Sequence, residues 1–140
     1  MAEPWANLGV SLTMSGRSAE AVSCLETAVR LAPDSPENRN NQAIALTRVG
    51  RAAEAVSVYR SAVRLRPDFF EARYNLALAL ASLGRAAEAI PEYEAAARLR
   101  PGFPAVERSL AYALQASGRF DEAIAHLHAA ERLEAANSRR

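Results

Sequence analysis

Along most of the chain, apolar residues return every three or four positions, as they do on one face of a helix. Ala21, Leu25 and Ala28 form one such series, and Ala55, Tyr59 and Ala62 another. Ala89, Tyr93 and Ala96, then Ala123, Leu127 and Ala130, complete the set. One stretch reads differently. Leu76-Ala77-Leu78-Ala79-Leu80 resembles an alternating strand, but its equivalents, Gln42 to Leu46 and Leu110 to Leu114, do not alternate. The series recur every 34 residues, together with a marker: Gly16-Arg17, Gly50-Arg51, Gly84-Arg85 and Gly118-Arg119. A period in this range signals a stacked repeat array.

Each unit predicts two helices. The first ends at the marker glycine, which accepts left-handed backbone geometry without a Cβ clash. The second begins with Glu20, Glu54, Glu88 or Glu122 near the positive end of its dipole, and Arg30, Arg64, Arg98 or Arg132 lies near the negative end. The marker Arg and Glu are three apart, a spacing that predicts exposed ion pairs worth a few tenths of a kcal/mol. Pro33, Pro67 and Pro101 then close the first three units. First helices are expected at roughly 3–15, 37–49, 71–83 and 105–117, second helices at roughly 18–31, 52–65, 86–99 and 120–134. Pro91 falls inside a second helix, where it removes one hydrogen bond and is expected to bend the helix locally.

The chain's 140 residues are enough for one domain, and half of them are apolar. Its 17 basic and 16 acidic residues nearly cancel, which argues against a general nucleic-acid binder. All the basic residues are Arg, spread through every unit. Cys24 is the single cysteine, so no internal disulfide or cysteine zinc site is available. The start lacks the basic and apolar regions of a signal peptide, and no apolar run approaches the ~20 residues of a membrane span. The expectation is a cytoplasmic chain with no membrane or nucleic-acid partner.

Trp5, Leu8, Gly9, Leu12, Gly16, Ala21, Leu25, Ala28 and Pro33 sit at spacings that resemble the tetratricopeptide repeat. The second unit matches through Ala43, Gly50, Ala55, Tyr59 and Pro67, the third through Ala77, Gly84, Ala89, Tyr93 and Pro101. The fourth matches through Ala111, Gly118, Ala123, Leu127 and Ala130, with Ala135 in place of the proline. The resemblance implies an all-α fold: a right-handed α-solenoid of four helix-turn-helix units, first helices on the concave face. A single domain is expected over 2–135, with repeats at about 2–35, 36–69, 70–103 and 104–137, and a short C-terminal tail over 136–140. At the end of the array, Glu131 and His126 replace residues that face a neighbour elsewhere, as solubility of a terminal repeat requires. Ile124 and Leu127 are expected to stay exposed there and to invite end-to-end pairing.

No P-loop, dinucleotide turn or His-Glu-x-x-His motif is present, and no cofactor is expected. Cys24 reads as a small packing residue. His126 and His128 are two apart and do not share a helix face, so they do not suggest a metal pair. The polar pattern that recurs is Asn7, Asn41 and Asn75, with Ser109 in the fourth unit. These amides either fill helix positions and bond to neighbouring helices, or form a ladder along the inner groove. The ladder is similar to that of the O-linked N-acetylglucosamine transferase family, where it implies grip on the backbone of an extended peptide. An amide suits that task because it both donates and accepts.

By the same resemblance, Ala6, Asn40, Tyr74 and Arg108 face the groove, followed by Val10, Ile44, Leu78 and Tyr112, then Thr13, Thr47, Ala81 and Gln115. The apolar stripe through Val10, Ile44, Leu78 and Tyr112 is either core or a floor for apolar ligand side chains. A chaperone-tail clamp is excluded in either register. Its basic positions fall on Ala6, Glu71 and Asn75, or one unit along on Asn40, Ala105 and Ser109. The expected function is a non-enzymatic interaction module that binds an extended peptide through Asn7, Asn41, Asn75, Asn40, Tyr74, Val10, Ile44, Leu78 and Tyr112. The alternatives are self-assembly as a homo-oligomer through the repeat ends, or a substrate-recruiting part of a larger enzyme such as a glycosyltransferase.

Overall fold

The computed structural model describes residues 1–140 as eight helices and no strand. They are α1 (Ala2–Met14), α2 (Ser18–Leu31), α3 (Pro36–Arg48), α4 (Ala52–Leu65), α5 (Phe70–Ser82), α6 (Ala86–Leu99), α7 (Pro104–Ala116) and α8 (Phe120–Ser138). The first helices end where glycine allows it. Gly84 has φ of +74°, its N–H donates to Ala81 O at 3.0 Å, and the next N–H, of Arg85, reaches back to Leu80 O at 2.9 Å. This pair of bonds satisfies carbonyls that the helix end would leave open. The same bonds recur at Gly16, Gly50 and Gly118. Just beyond, the marker ion pairs form as the spacing predicts: Arg17–Glu20 at 2.6 Å, Arg51–Glu54 at 2.7 Å, Arg85–Glu88 at 2.6 Å and Arg119–Glu122 at 2.7 Å.

Two helix features follow from proline. Helix α6 continues from Ala86 to Leu99 with Pro91 inside it, although proline has no N–H to donate. Helix α8 runs to Ser138, beyond the expected end at 134. Pro33, Pro67 and Pro101 follow closely on α2, α4 and α6, but the fourth unit has Ala135, which continues a helix freely. Residues 136–138 therefore extend α8 and are not a tail.

Packing repeats as strictly as the sequence does. Ala21, Ala55 and Ala89 are wholly buried between helices, and Leu25, Tyr59 and Tyr93 fill the space beside them. At Gly9 helix α1 lies so near its partner that a Cβ would be 2.4 Å from Leu25 Cγ. Each helix packs on the next in sequence. Beyond that, α1 packs on α3, α3 on α5 and α5 on α7, whereas the backbones of the second helices stay apart, and α4 reaches α6 through the long side chains of Arg60 and Glu88, paired at 3.0 Å. The first helices are thus crowded together and the second helices splayed apart. The right-handed α-solenoid curves towards its first helices, which form the inner face.

Candidate functional site

Each first helix turns one line of side chains to the inner face, spaced three and then four residues apart so that they share a helix side. The lines are Asn41-Ile44-Arg48 on α3, Asn75-Leu78-Ser82 on α5 and Ser109-Tyr112-Ala116 on α7. Three clefts open in succession between these lines. The first, about 170 Å³, lies between Val10, Thr13 and Met14 of α1 and Asn41, Ile44 and Arg48 of α3. The second, about 490 Å³, runs from Ile44, Thr47 and Arg48 to Asn75 and Leu78. The third, about 370 Å³, runs from Leu78 and Ala81 to Ser109 and Tyr112. Ile44 is shared by the first two clefts and Leu78 by the last two, so the apolar stripe links all three.

The stripe lies at the surface. Val10 and Ile44 are half-buried, Leu78 is 41% exposed and Tyr112 is 56% exposed. Tyr59 and Tyr93 form part of the walls of the second and third clefts. Burial pushes each phenol up to about 12, so both stay neutral near pH 7.

The amides separate into different roles. Asn75 Nδ2 donates to Asn40 Oδ1 at 3.4 Å, and Tyr74 Oη lies 3.2 Å from Ser109 Oγ. In both contacts, residues 35 apart meet across neighbouring first helices. The corresponding pair one unit earlier is Ala6 and Asn41, and an alanine has no side-chain acceptor or donor. Asn41 accordingly has no side-chain hydrogen bond and lines the first cleft with its amide unengaged. Asn7 is exposed on α1 but lines none of the three clefts.

Asn40 and Tyr74, expected in the groove, lie instead between helices. Asn40 is buried at 6% exposure. Tyr74 is half-buried, with ring centroids 6.0 Å from Phe70 and 5.9 Å from Tyr93. Arg108 at the same position pairs with Glu134 of α8. This position points along the array towards the adjoining helices, which explains why it carries packing residues.

Sequence reasoning missed Arg48. It lies one turn beyond Ile44 on the same side of α3 and lines both the first and second clefts. Its position is occupied by Met14, Ser82 and Ala116 in the other units, so the repeat pattern gave it no weight. Its place one turn beyond Ile44, on the same helix side, was the available signal. Arg48 is the only charged residue lining any of the three clefts, and its one side-chain bond runs from Nη1 to Thr13 O at 3.3 Å.

Other chemistry is placed elsewhere. No group of three or more His, Cys, Asp or Glu is arranged to hold a metal ion. Cys24 is half-buried against the core. His126 does not cap the end of the array as expected: its Nδ1 lies 2.6 Å from Glu107 Oε2 on α7, in its own unit. The third unit makes a contact between the same two positions with the acidic residue on the other helix, Arg73 Nη1 to Glu92 Oε2 at 2.9 Å. A separate cleft of about 380 Å³ lies among Arg66, Phe69, Phe70, Glu71 and Arg100. Its two guanidiniums lie over the rings of Phe69 and Phe70 and are paired with Glu37 and Glu71.

Eight helices in four like pairs, with a cleft-lined inner face, define a helical-repeat scaffold. The tetratricopeptide repeat model matches residues 6–68 and 40–104, and a second model of the same description matches 80–139. The chain belongs to the tetratricopeptide repeat family. Solved structures of MamA are similar to it throughout. One aligns with a TM-score of 0.95 at 25% identity, covering 99% of this chain and 81% of its own. A MamA MSR-1 structure aligns at 0.88 and 28% identity, covering 98% and 79%. A MamA AMB-1 structure aligns at 0.86 and 28%, covering 96% and 73%. No curated protein matches the chain by sequence. As a tetratricopeptide array the chain is a protein-interaction scaffold, in a family of generally non-catalytic proteins. None of its helices is long and apolar enough to cross a membrane.

Proposed function

We propose that the inner face binds an extended peptide segment, with apolar side chains of that segment seated in the three clefts. The observation that carries this reading is the stripe Val10-Ile44-Leu78-Tyr112, apolar and partly exposed, running unbroken from cleft to cleft. An apolar surface that is continuous and set in concave relief favours a partner over water. Asn41 is the amide best able to bond a peptide group of the ligand. Asn75 also lines the second cleft, but one of its two N–H donors is already engaged by Asn40, which leaves it fewer free groups for a ligand. Asn7 would contact only a segment that continues beyond the first cleft. Tyr74 and Asn40 would act indirectly, by holding the neighbouring helices in place.

The test is selection from a random peptide display library on the wild-type chain and on Leu78→Glu. Peptides enriched by the first and lost by the second support groove binding. Enrichment that the charge does not disturb contradicts it.

Self-assembly through the array ends is the second reading. Ile124 is 51% exposed, while Val22, Val56 and Ile90 at the same repeat position are 5%, 2% and 3% exposed. Phe120, one turn earlier on α8, is exposed as well. Mass measured across concentration tests this: growth abolished by Ile124→Glu supports end pairing, and a constant monomer mass opposes it.

A further inference from the structure

Peptide binding along the inner face leaves the one charge of that face unexplained, and a role for that charge rests on the groove reading. Arg48 stands on the ridge between the first and second clefts and lines both. No carboxylate lines any of the three clefts, and none lies within ion-pair distance of its guanidinium. Nine of the other sixteen arginines are paired with Glu, and none of the sixteen lines these clefts. A guanidinium offers five N–H donors in a planar fork, and Arg48 uses one of them, on Thr13 O. The unengaged Asn41 amide lies two turns back on the same line of α3. Donors without acceptors thereby line one cleft of an otherwise uncharged groove.

We infer that Arg48 forms a subsite for an acidic side chain of the bound peptide, flanked on both sides by apolar residues of that peptide. The fork geometry of the guanidinium matches a carboxylate. Asn41, two turns away in the same cleft, adds an amide for the peptide backbone. The acid belongs to the interior of the peptide and not to its terminus. A segment that fills the first and second clefts passes Arg48 midway, with Val10 and Ile44 beneath one neighbour and Leu78 beneath the other. The third cleft has no charged residue, so it sets no charge requirement and takes an apolar or aromatic side chain between Leu78 and Tyr112. The ligand class is an extended peptide of pattern apolar–acidic–apolar.

The test uses random decapeptides displayed between fixed flanks, so that no free carboxyl terminus is offered. Selection on the wild-type chain is expected to enrich Asp or Glu at one position between two apolar ones. Selection on Arg48→Glu is expected to replace that acid with Lys or Arg and to keep the apolar positions. For one selected peptide, Arg48→Ala is expected to weaken Kd about twofold to fivefold, as for an exposed ion pair, and the loss should shrink in high salt. Circular dichroism of both variants checks that the helices are intact. Peptides selected with acidic residues at background frequency, or an unchanged pattern on Arg48→Glu, overturn the subsite while the groove stands. A wild-type chain that selects nothing overturns the groove reading and the subsite with it.

Discussion

Leu78 and Ile124 are both aliphatic, both on helices and both about half exposed, at 41% and 51%. The causes differ. Leu78 is exposed although units pack on either side of it, and Val10, Ile44 and Tyr112 reach the surface at the same repeat position. Ile124 is exposed because no unit of this chain packs on α8 from the far side; its equivalents are buried by the unit that follows them. Inner-face exposure is therefore a property of the repeat itself, while end exposure is a property of position in the array. A surface rebuilt apolar in every unit is the better mark of a binding face.

Substitutions can break or sharpen this contrast. The largest effect is expected at Ile90, buried between α6 and its neighbours: Ile90→Ala should lower stability by about 2–4 kcal/mol. The matching Ile124→Ala should cost less than about 1 kcal/mol. Urea unfolding of the two variants side by side gives the difference. Equal costs at low protein concentration would mean that the outer face of α8 is covered, and the contrast between the two sites would fail.

Next comes Gly9→Ala. Its Cβ would overlap Leu25, which is fully buried, so the helices must part or Leu25 must change rotamer. The expected cost is about 1–3 kcal/mol in the same urea experiment. Leu78→Ala should change stability by less than about 1 kcal/mol, yet weaken a selected peptide roughly tenfold through lost apolar burial. Ile124→Ala should leave that affinity unchanged.

The smallest effect is on the outer charges. Hydrogen bonds and charge from Arg85 and Arg60 hold the Glu88 carboxyl down at about 2, below its ordinary 4.5. A lowered carboxylate pKa means that the contribution of Glu88 is complete above pH 4.5 and fades as pH falls towards 2. Titration followed by NMR should give a midpoint near 2, raised by Arg60→Ala. The ion pairs are exposed, so overall stability should barely follow this change.

The fold was legible because each boundary carries its own chemistry. Glycine at the end of each first helix and proline after each of the first three second helices placed those ends to within about a residue. Where the proline was missing, at Ala135, the end of α8 was not legible. The inner stripe was readable from period and family geometry together. Asn40 and Tyr74 were not, because one helix position can face the groove or the next helix, and only the packing of neighbouring first helices decides between them. Arg48 escaped for the opposite reason: a residue that departs from the repeat carries no periodic signal, although departures are where one array differs from another. His126 was misplaced because its partner, Glu107, lies 19 residues away, and the acidic residue sits on the other helix than in the Arg73–Glu92 pair.

The most direct test is to map a selected peptide onto the chain by NMR. Shift changes are expected along Val10, Asn41, Ile44, Arg48, Leu78 and Tyr112, with Phe120 and Ile124 unmoved. Changes confined to α8, with a silent inner face, would contradict binding in the groove.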